Sequence, residues 1–236
     1  MHGAWQGDWC WDELRTALDA ESIETRAVDL SSARGSNAEL ELDTLTVRET
    51  LAEIEGPVVV VTHSHGGILV TQAAAEAPNV VGVVYLASFQ LDAGEDLTGF
   101  DSAPASADLH EVEPVPDDPI ALFFAGVARR RAEEAARHIV PQSAASFRDV
   151  AVGAGWRRIP SVHIVCEQDR TIPAQVQEVL AARADEVHRI ASCHSPFLSA
   201  PAELTALLSQ AARTAWISPG RTNASQRPVQ SSSVMS

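Results

Sequence analysis

A serine, an aspartate and a histidine stand in that order along the chain, each just after a short apolar run. Ser64 follows Val58-Val59-Val60-Val61-Thr62-His63 and precedes His65-Gly66-Gly67. Asp169 lies in Cys166-Glu167-Gln168-Asp169-Arg170-Thr171-Ile172-Pro173, and His194 in Ser192-Cys193-His194-Ser195-Pro196-Phe197. A serine hydroxyl is a weak nucleophile until a histidine takes its proton, and that histidine needs a carboxylate to orient it. The order nucleophile, acid, base is one of those in which such triads occur. Other residues compete for these roles. Glu167 is a second acid beside Asp169, while His63 and His65 flank the serine and are expected to point away in a tight turn. His163 and His188 fall within or beside strands and read as structural. Cys193 reads as a small buried thiol rather than a nucleophile.

Attack on a carbonyl also needs two N–H groups aimed at the developing oxyanion. The residue after the nucleophile, His65, supplies one. A His-Gly loop supplies the other, and His2-Gly3-Ala4 fits it with Ala4 as donor. Gly3 lets the backbone approach a substrate closely. An apolar pocket is expected from Trp5, Phe123, Phe124 and Phe197, whereas Trp9 and Trp11 read as ordinary core.

These residues need strand ends to hold them. Four consecutive valines suit a strand buried on both faces of a sheet, and a strand, a sharp turn at serine and an apolar helix make a nucleophile elbow. Thr62 stands where that motif usually has its first glycine. Strands and helices alternate along the chain, which predicts a mostly parallel α/β sheet flanked by helices. The pattern predicts helices over Trp9–Ala20, Thr44–Ile54, Ala174–Ala184 and Pro201–Ala215, and strands over Ile23–Leu30, Val80–Phe89, Val162–Cys166 and Val187–Ala191. The stretch from Gln90 to Arg158 is too long for a simple connection. With an apolar-sided helix expected over Ile120–His138, it reads as a small helical lid over the carboxyl ends of the strands, where ligands bind in open α/β sheets.

Composition narrows the class. The chain has 236 residues, 45% of them hydrophobic, enough for one sizeable core, expected over residues 1–217 with the lid insertion at about 90–158. The tail from Ser218 to Ser236, rich in Ser, Pro, Asn and Gln, is expected to be disordered. A formal charge of −15 argues against nucleic acid as a partner. The chain has no lysine, which excludes any lysine-dependent mechanism. Its three widely spaced cysteines form no metal or disulfide framework and fit a reducing, cytoplasmic compartment. No apolar run is long enough to span a membrane, and no secretory signal is evident. The oligomeric state is not legible here, a homodimer being compatible with the composition.

The run His2-Gly3-Ala4-Trp5-Gln6-Gly7-Asp8-Trp9-Cys10-Trp11 resembles the opening of an α/β-hydrolase branch that contains plant methyl esterases, hydroxynitrile lyases and many bacterial esterases. Thr62–Gly67, Val84–Phe89, Cys166–Pro173 and Cys193–Ser199 are similar to the bacterial members. The resemblance implies an α/β-hydrolase fold with a Ser64–Asp169–His194 triad, no metal or organic cofactor, and a small-molecule ester as substrate. Members of the family have an apolar strand before their His-Gly. Here Met1 is followed at once by His2, so a sheet lacking that first central strand is expected, and a truncated, catalytically silent domain is the competing expectation. The lyases of the branch share a threonine in the oxyanion loop and a lysine beside the histidine. This chain has Gly3 and Ser195 there, which favours ester hydrolysis over carbon–carbon lysis.

Overall fold

The computed structural model describes residues 1–34, 40–100, 112–148 and 150–217. The expected disordered tail and part of the expected lid, residues 101–111 and Asp149, lie outside the described residues.

Its helices are α1 (Asp12–Ala20), α2 (Leu40–Ala52), α3 (Gly66–Ala74), α4 (Pro119–Phe123), α5 (Arg129–Ala136), α6 (Ala174–Ala181), α7 (Pro196–Ser199) and α8 (Pro201–Ile217). The strands are β1 (Val58–His63), β2 (Val80–Leu86), β3 (Val112–Glu113), β4 (Gln142–Ser143), β5 (Ser161–Cys166) and β6 (Glu186–Ile190). Among the described residues, β1, β2, β5 and β6 form one parallel sheet in that order, and β3 pairs with β4 in a small antiparallel ribbon. Because the four strands run the same way, their carboxyl ends share one edge.

Alternation along β2 shows how the two faces fill. Val83 and Tyr85 join a core with Ile68 and Leu69 of α3, Val47 of α2 and Leu180 of α6. Val84 and Leu86 join the opposite core with Leu14 of α1 and Leu204 and Leu208 of α8. The period of two along a strand divides one run of apolar residues between both layers. The buried Tyr85 hydroxyl is satisfied by Thr71 Oγ1 at 2.7 Å. Truncating a buried leucine such as Leu69 or Leu86 to alanine costs about 2–5 kcal/mol in such a setting.

Three expectations need correction. The valine strand is not buried on both faces: Val58, Val59 and Val61 are only half-buried. Its outer edge meets no other strand among the described residues. The Met1 amino group donates to Val61 O at 2.8 Å and Met1 O accepts from His63 N at 3.1 Å, so a single residue lies along that edge. Residues 23–30, expected as a strand, are irregular. A strand exists through its ladder, and the nearest backbone groups of β1 are already engaged by Met1. The helix expected over Ile120–His138 is two helices. Asp118 Oδ1 accepts from Ala121 N at 2.9 Å, Pro119 opens α4, and the chain turns at Gly126 with φ 82° before α5.

The long connection from β2 to β5 carries β3, α4, α5 and β4. Its base is fastened by Arg157 to Asp92, by Trp156 Nε1 to Leu91 O at 2.8 Å, and by Arg183 of the α6–β6 turn to Glu95. Its apolar side gathers Phe123, Phe124, Ala132, Ala135 and Ile139 against Trp5 and Trp9. Among the described residues no helix is long and apolar enough to cross a membrane.

Candidate active site

β1 ends at His63, and Ser64 takes φ 53° before α3 begins at Gly66. A non-glycine residue in the left-handed region costs about 1–2 kcal/mol, so the surrounding contacts must impose it. They do. The Ser64 carbonyl accepts from Ser88 Oγ at 2.7 Å, Phe89 N at 3.1 Å and Gly67 N at 3.2 Å, and Ser64 N donates to Leu86 O at 3.3 Å. A trans peptide points its N–H opposite its carbonyl, so pinning Ser64 O also aims the N–H of His65. Gly66 is required by close approach: a Cβ there would lie 2.5 Å from His2 O. Thr62, in the place of the first glycine, is fully buried.

The same arrangement recurs in the His2–Trp5 loop. The Gly3 carbonyl accepts from His2 Nδ1 at 2.9 Å and from Gln6 N at 3.4 Å, which turns the Ala4 N–H the other way. His2 Nε2 accepts from Leu30 N at 3.1 Å, so the ring carries its proton on Nδ1. A Cβ on Gly3 would sit 2.8 Å from Ser64 Cβ. The loop therefore lies directly against the serine, and only glycine fits there. Trp5 follows with φ 59°, a second strained residue at this spot.

Asp169 and His194 meet on the same edge. His194 Nδ1 donates to Asp169 Oδ2 at 2.7 Å, with both side chains almost wholly buried. The carboxylate is otherwise saturated: Oδ1 accepts from Thr171 N at 2.7 Å and Ile172 N at 3.0 Å, and Oδ2 from Gln177 Nε2 at 2.9 Å. Gln177, fully buried on α6, also spans Cys166 N and Ile172 O at 2.9 and 2.7 Å. Glu167, the competing acid, lies on an exposed position. His63 Nε2 donates to His194 O at 2.7 Å, and the two rings stand 4.6 Å apart. Burial, then the neighbouring His194, holds the His63 ring well below the usual histidine range, so it stays neutral. His65 is turned outward to the β2–β5 connection, its Nε2 donating to Ser146 O at 2.8 Å. His163 pairs with Gln90 at 3.3 Å inside the core.

The aromatic residues divide. Phe123 stands 5.9 Å from the His194 ring and 5.7 Å from Trp5. Phe147 stands 5.1 Å from Trp5 and 5.0 Å from His65, and nothing in the sequence singled it out. Phe124 is buried behind Phe123. Phe197 lies on the far side of His63, 5.3 Å from it and 5.3 Å from Trp11, in the α1–α8 core. Both Phe124 and Phe197, expected to line a pocket, are almost wholly buried. Trp11 is core, while Trp9 packs on His138 of the connection at 5.4 Å.

A model of the "Alpha/beta hydrolase family" matches residues 1–207. The chain belongs to the α/β-hydrolase family. This α/β hydrolase is 25% identical over 240 residues to norfluorocurarine synthase 2 of Strychnos sp, covering 86% of this chain and 90% of that protein. It is 26% identical over 251 residues to methylesterase 7 of Arabidopsis thaliana, covering 88% and 93%. Among solved structures it superposes on a methylesterase from Arabidopsis with a TM-score of 0.78 at 23% identity, covering 91% of this chain and 97% of that one. The last likeness carries the fold. Sequence reasoning missed Gln177, Gln142 and Phe147 in this α/β hydrolase. A glutamine in an otherwise apolar helical face, as in Ala174-Gln175-Val176-Gln177-Glu178-Val179-Leu180, was the signal for Gln177; the other two carried none.

Proposed function

We propose that this α/β hydrolase is a serine esterase that cleaves a small carboxylic ester through an acyl-enzyme. The observation that carries the reading is the buried 2.7 Å His194–Asp169 pair, at the same sheet edge as a serine forced to φ 53° at a strand end. With Nδ1 donating to Asp169, the neutral imidazole has its lone pair on Nε2, the nitrogen that takes a proton. Ser64 Oγ attacks the ester carbon as its proton passes to His194, and Asp169 stabilises the resulting imidazolium. The N–H groups of Ala4 and His65 receive the oxyanion, each aimed by a pinned carbonyl on its own peptide. Collapse breaks the bond to the alkoxy oxygen, which leaves as the alcohol with the proton from His194. Water then gives a proton to His194, attacks the acyl carbon, and releases the acid with Ser64 restored.

The β2–β5 connection serves as the lid in this reading, with Trp5, Phe123 and Phe147 presenting an apolar, aromatic wall to the acyl group. The methylesterases among the relatives support a small alcohol as the leaving group. The lyase reading gains nothing here. Ser195, where the lyases of this branch carry a lysine, is a fully buried hydroxyl.

Initial rates on p-nitrophenyl acetate and butyrate, and on methyl esters of aromatic acids, test the assignment. Ser64→Ala and His194→Ala should each lower kcat by on the order of 10⁴-fold or more, and the double variant by no more than the worse single one. Unchanged turnover in Ser64→Ala protein overturns it.

A further inference from the structure

The loop expected to hold the oxyanion is not held by the sheet alone. Trp5 N donates to Gln142 Oε1 at 3.2 Å, and Trp5 O accepts from Val140 N at 3.0 Å. Both polar groups of this strained residue are therefore bound by the β2–β5 connection, about 140 residues away in sequence. The Trp5 indole reaches the same connection, donating from Nε1 to Pro114 O at 3.0 Å.

Gln142 is 1% exposed and is itself fixed. Its Nε2 donates to Ser146 Oγ at 3.0 Å, and that hydroxyl donates to Ser143 O at 2.8 Å. Ser146 O in turn accepts from His65 Nε2 at 2.8 Å. One short segment, residues 142–146, thus grips the residue after Ala4 on one side and the residue after Ser64 on the other. The Ala4–Trp5 peptide follows directly on the Gly3–Ala4 peptide that carries the Ala4 N–H. The two planes meet at the Ala4 Cα, so fixing the Trp5 N–H limits how the first can turn. The φ of Trp5 sets how the second meets the Trp5–Gln6 peptide, whose carbonyl Val140 N holds. A left-handed φ at tryptophan persists only where surroundings impose it.

We infer that Gln142 is a positioning residue for the oxyanion hole: its side chain, braced by Ser146, holds the Ala4–Trp5 turn so that the Ala4 N–H and the His65 N–H converge on one point. The inference rests on the esterase reading above. The group acts without touching substrate, because its carbonyl oxygen faces the Trp5 N–H. Loss of the brace frees the loop to relax toward an unstrained φ, and a misaimed donor costs transition-state stabilisation while leaving ground-state binding alone.

Gln142→Met keeps the side-chain length and removes both hydrogen bonds. On an ester whose turnover Ser64→Ala abolishes, kcat is expected to fall about 30- to 100-fold, near the effect of losing one oxyanion donor, with KM within about threefold. Affinity for a trifluoromethyl ketone, which forms a tetrahedral oxyanion adduct with Ser64, should fall by the same factor, and affinity for the unfluorinated ketone should not. Ser146→Ala, which leaves Gln142 in place but unbraced, should show the same pattern at about 3- to 10-fold, and it carries the test if the Gln142 variant does not fold. Equal kcat and equal adduct affinity in the folded variant overturn the inference. So does a rise in KM at constant kcat, which would make Gln142 a pocket residue. If Ser64→Ala leaves turnover intact, the esterase reading has failed, whatever Gln142 does.

Discussion

The two halves of the proposed site are held in opposite ways. The acid–base half, Asp169 with His194, is built from loops that directly follow β5 and β6, and three of the donors to Asp169 lie within eight residues of it. The oxyanion half, Ala4–Trp5 with His65, depends on residues 140–146 of a different part of the chain. The first half is redundant and local; in the second the supports are long-range, and the Trp5 N–H rests on one acceptor, Gln142 Oε1. A deletion at one support should therefore be absorbed in the first and felt in the second.

The largest effect should come from the one part of the acid–base half without a substitute. Asp169→Asn keeps the shape but favours the wrong histidine tautomer, and kcat should fall by on the order of 10⁴-fold in the same ester assay. A loss under tenfold would move the acid role elsewhere, with Glu167 the first place to look. Next in size is Gln142→Met, at the 30- to 100-fold given above. Gln177→Met sharpens the contrast, since it removes one donor to Asp169 and leaves the Thr171 and Ile172 N–H groups. Its kcat should drop only about tenfold or less. Should Gln177→Met cost more than Gln142→Met, the ranking of the two halves is inverted.

The smallest effects concern what both halves stand on. His63 touches both, with Nε2 on the His194 carbonyl and Nδ1 against Gly3, and His163 is a residue of β5 with its ring buried in the core. Burial lowers His163 from 6.5 to about 3, and His63 is displaced in the same direction. A folded-state pKa below the unfolded value means the unfolded chain binds more protons, so stability rises with pH in this window. It should be fully present above about pH 6.5 and fall as the pH drops toward 3, by at most about 1.4 kcal/mol per pH unit for each ring. Thermal midpoints from pH 7.5 to 4 should decline, and His163→Gln should flatten the decline. A flat profile in the unaltered protein would remove the buried neutral rings from this account.

The same contrast governs what could be read in the chain. The placement of Ser64, Asp169 and His194 at one sheet edge was legible because each follows a run of β-branched or apolar residues that ends there. Residues 23–30 were misassigned because alternation describes one strand, whereas a ladder needs a partner the sequence does not display. Gln142 left no trace, since its role depends on a meeting across about 140 residues. Phe197 was drawn toward the pocket by its nearness to His194 in sequence, yet α7 turns it behind His63, into the core. Nearness along the chain is a poor guide once a turn has reversed the facing side.

The φ of 53° at Ser64 has a consequence beyond catalysis. A glycine there would relieve about 1 kcal/mol of backbone cost while abolishing the hydroxyl. Stability and the hydroxyl therefore pull this codon in opposite directions. At Ser64 a substitution that removes the group needed by the proposed reaction is thus also one that lowers backbone strain.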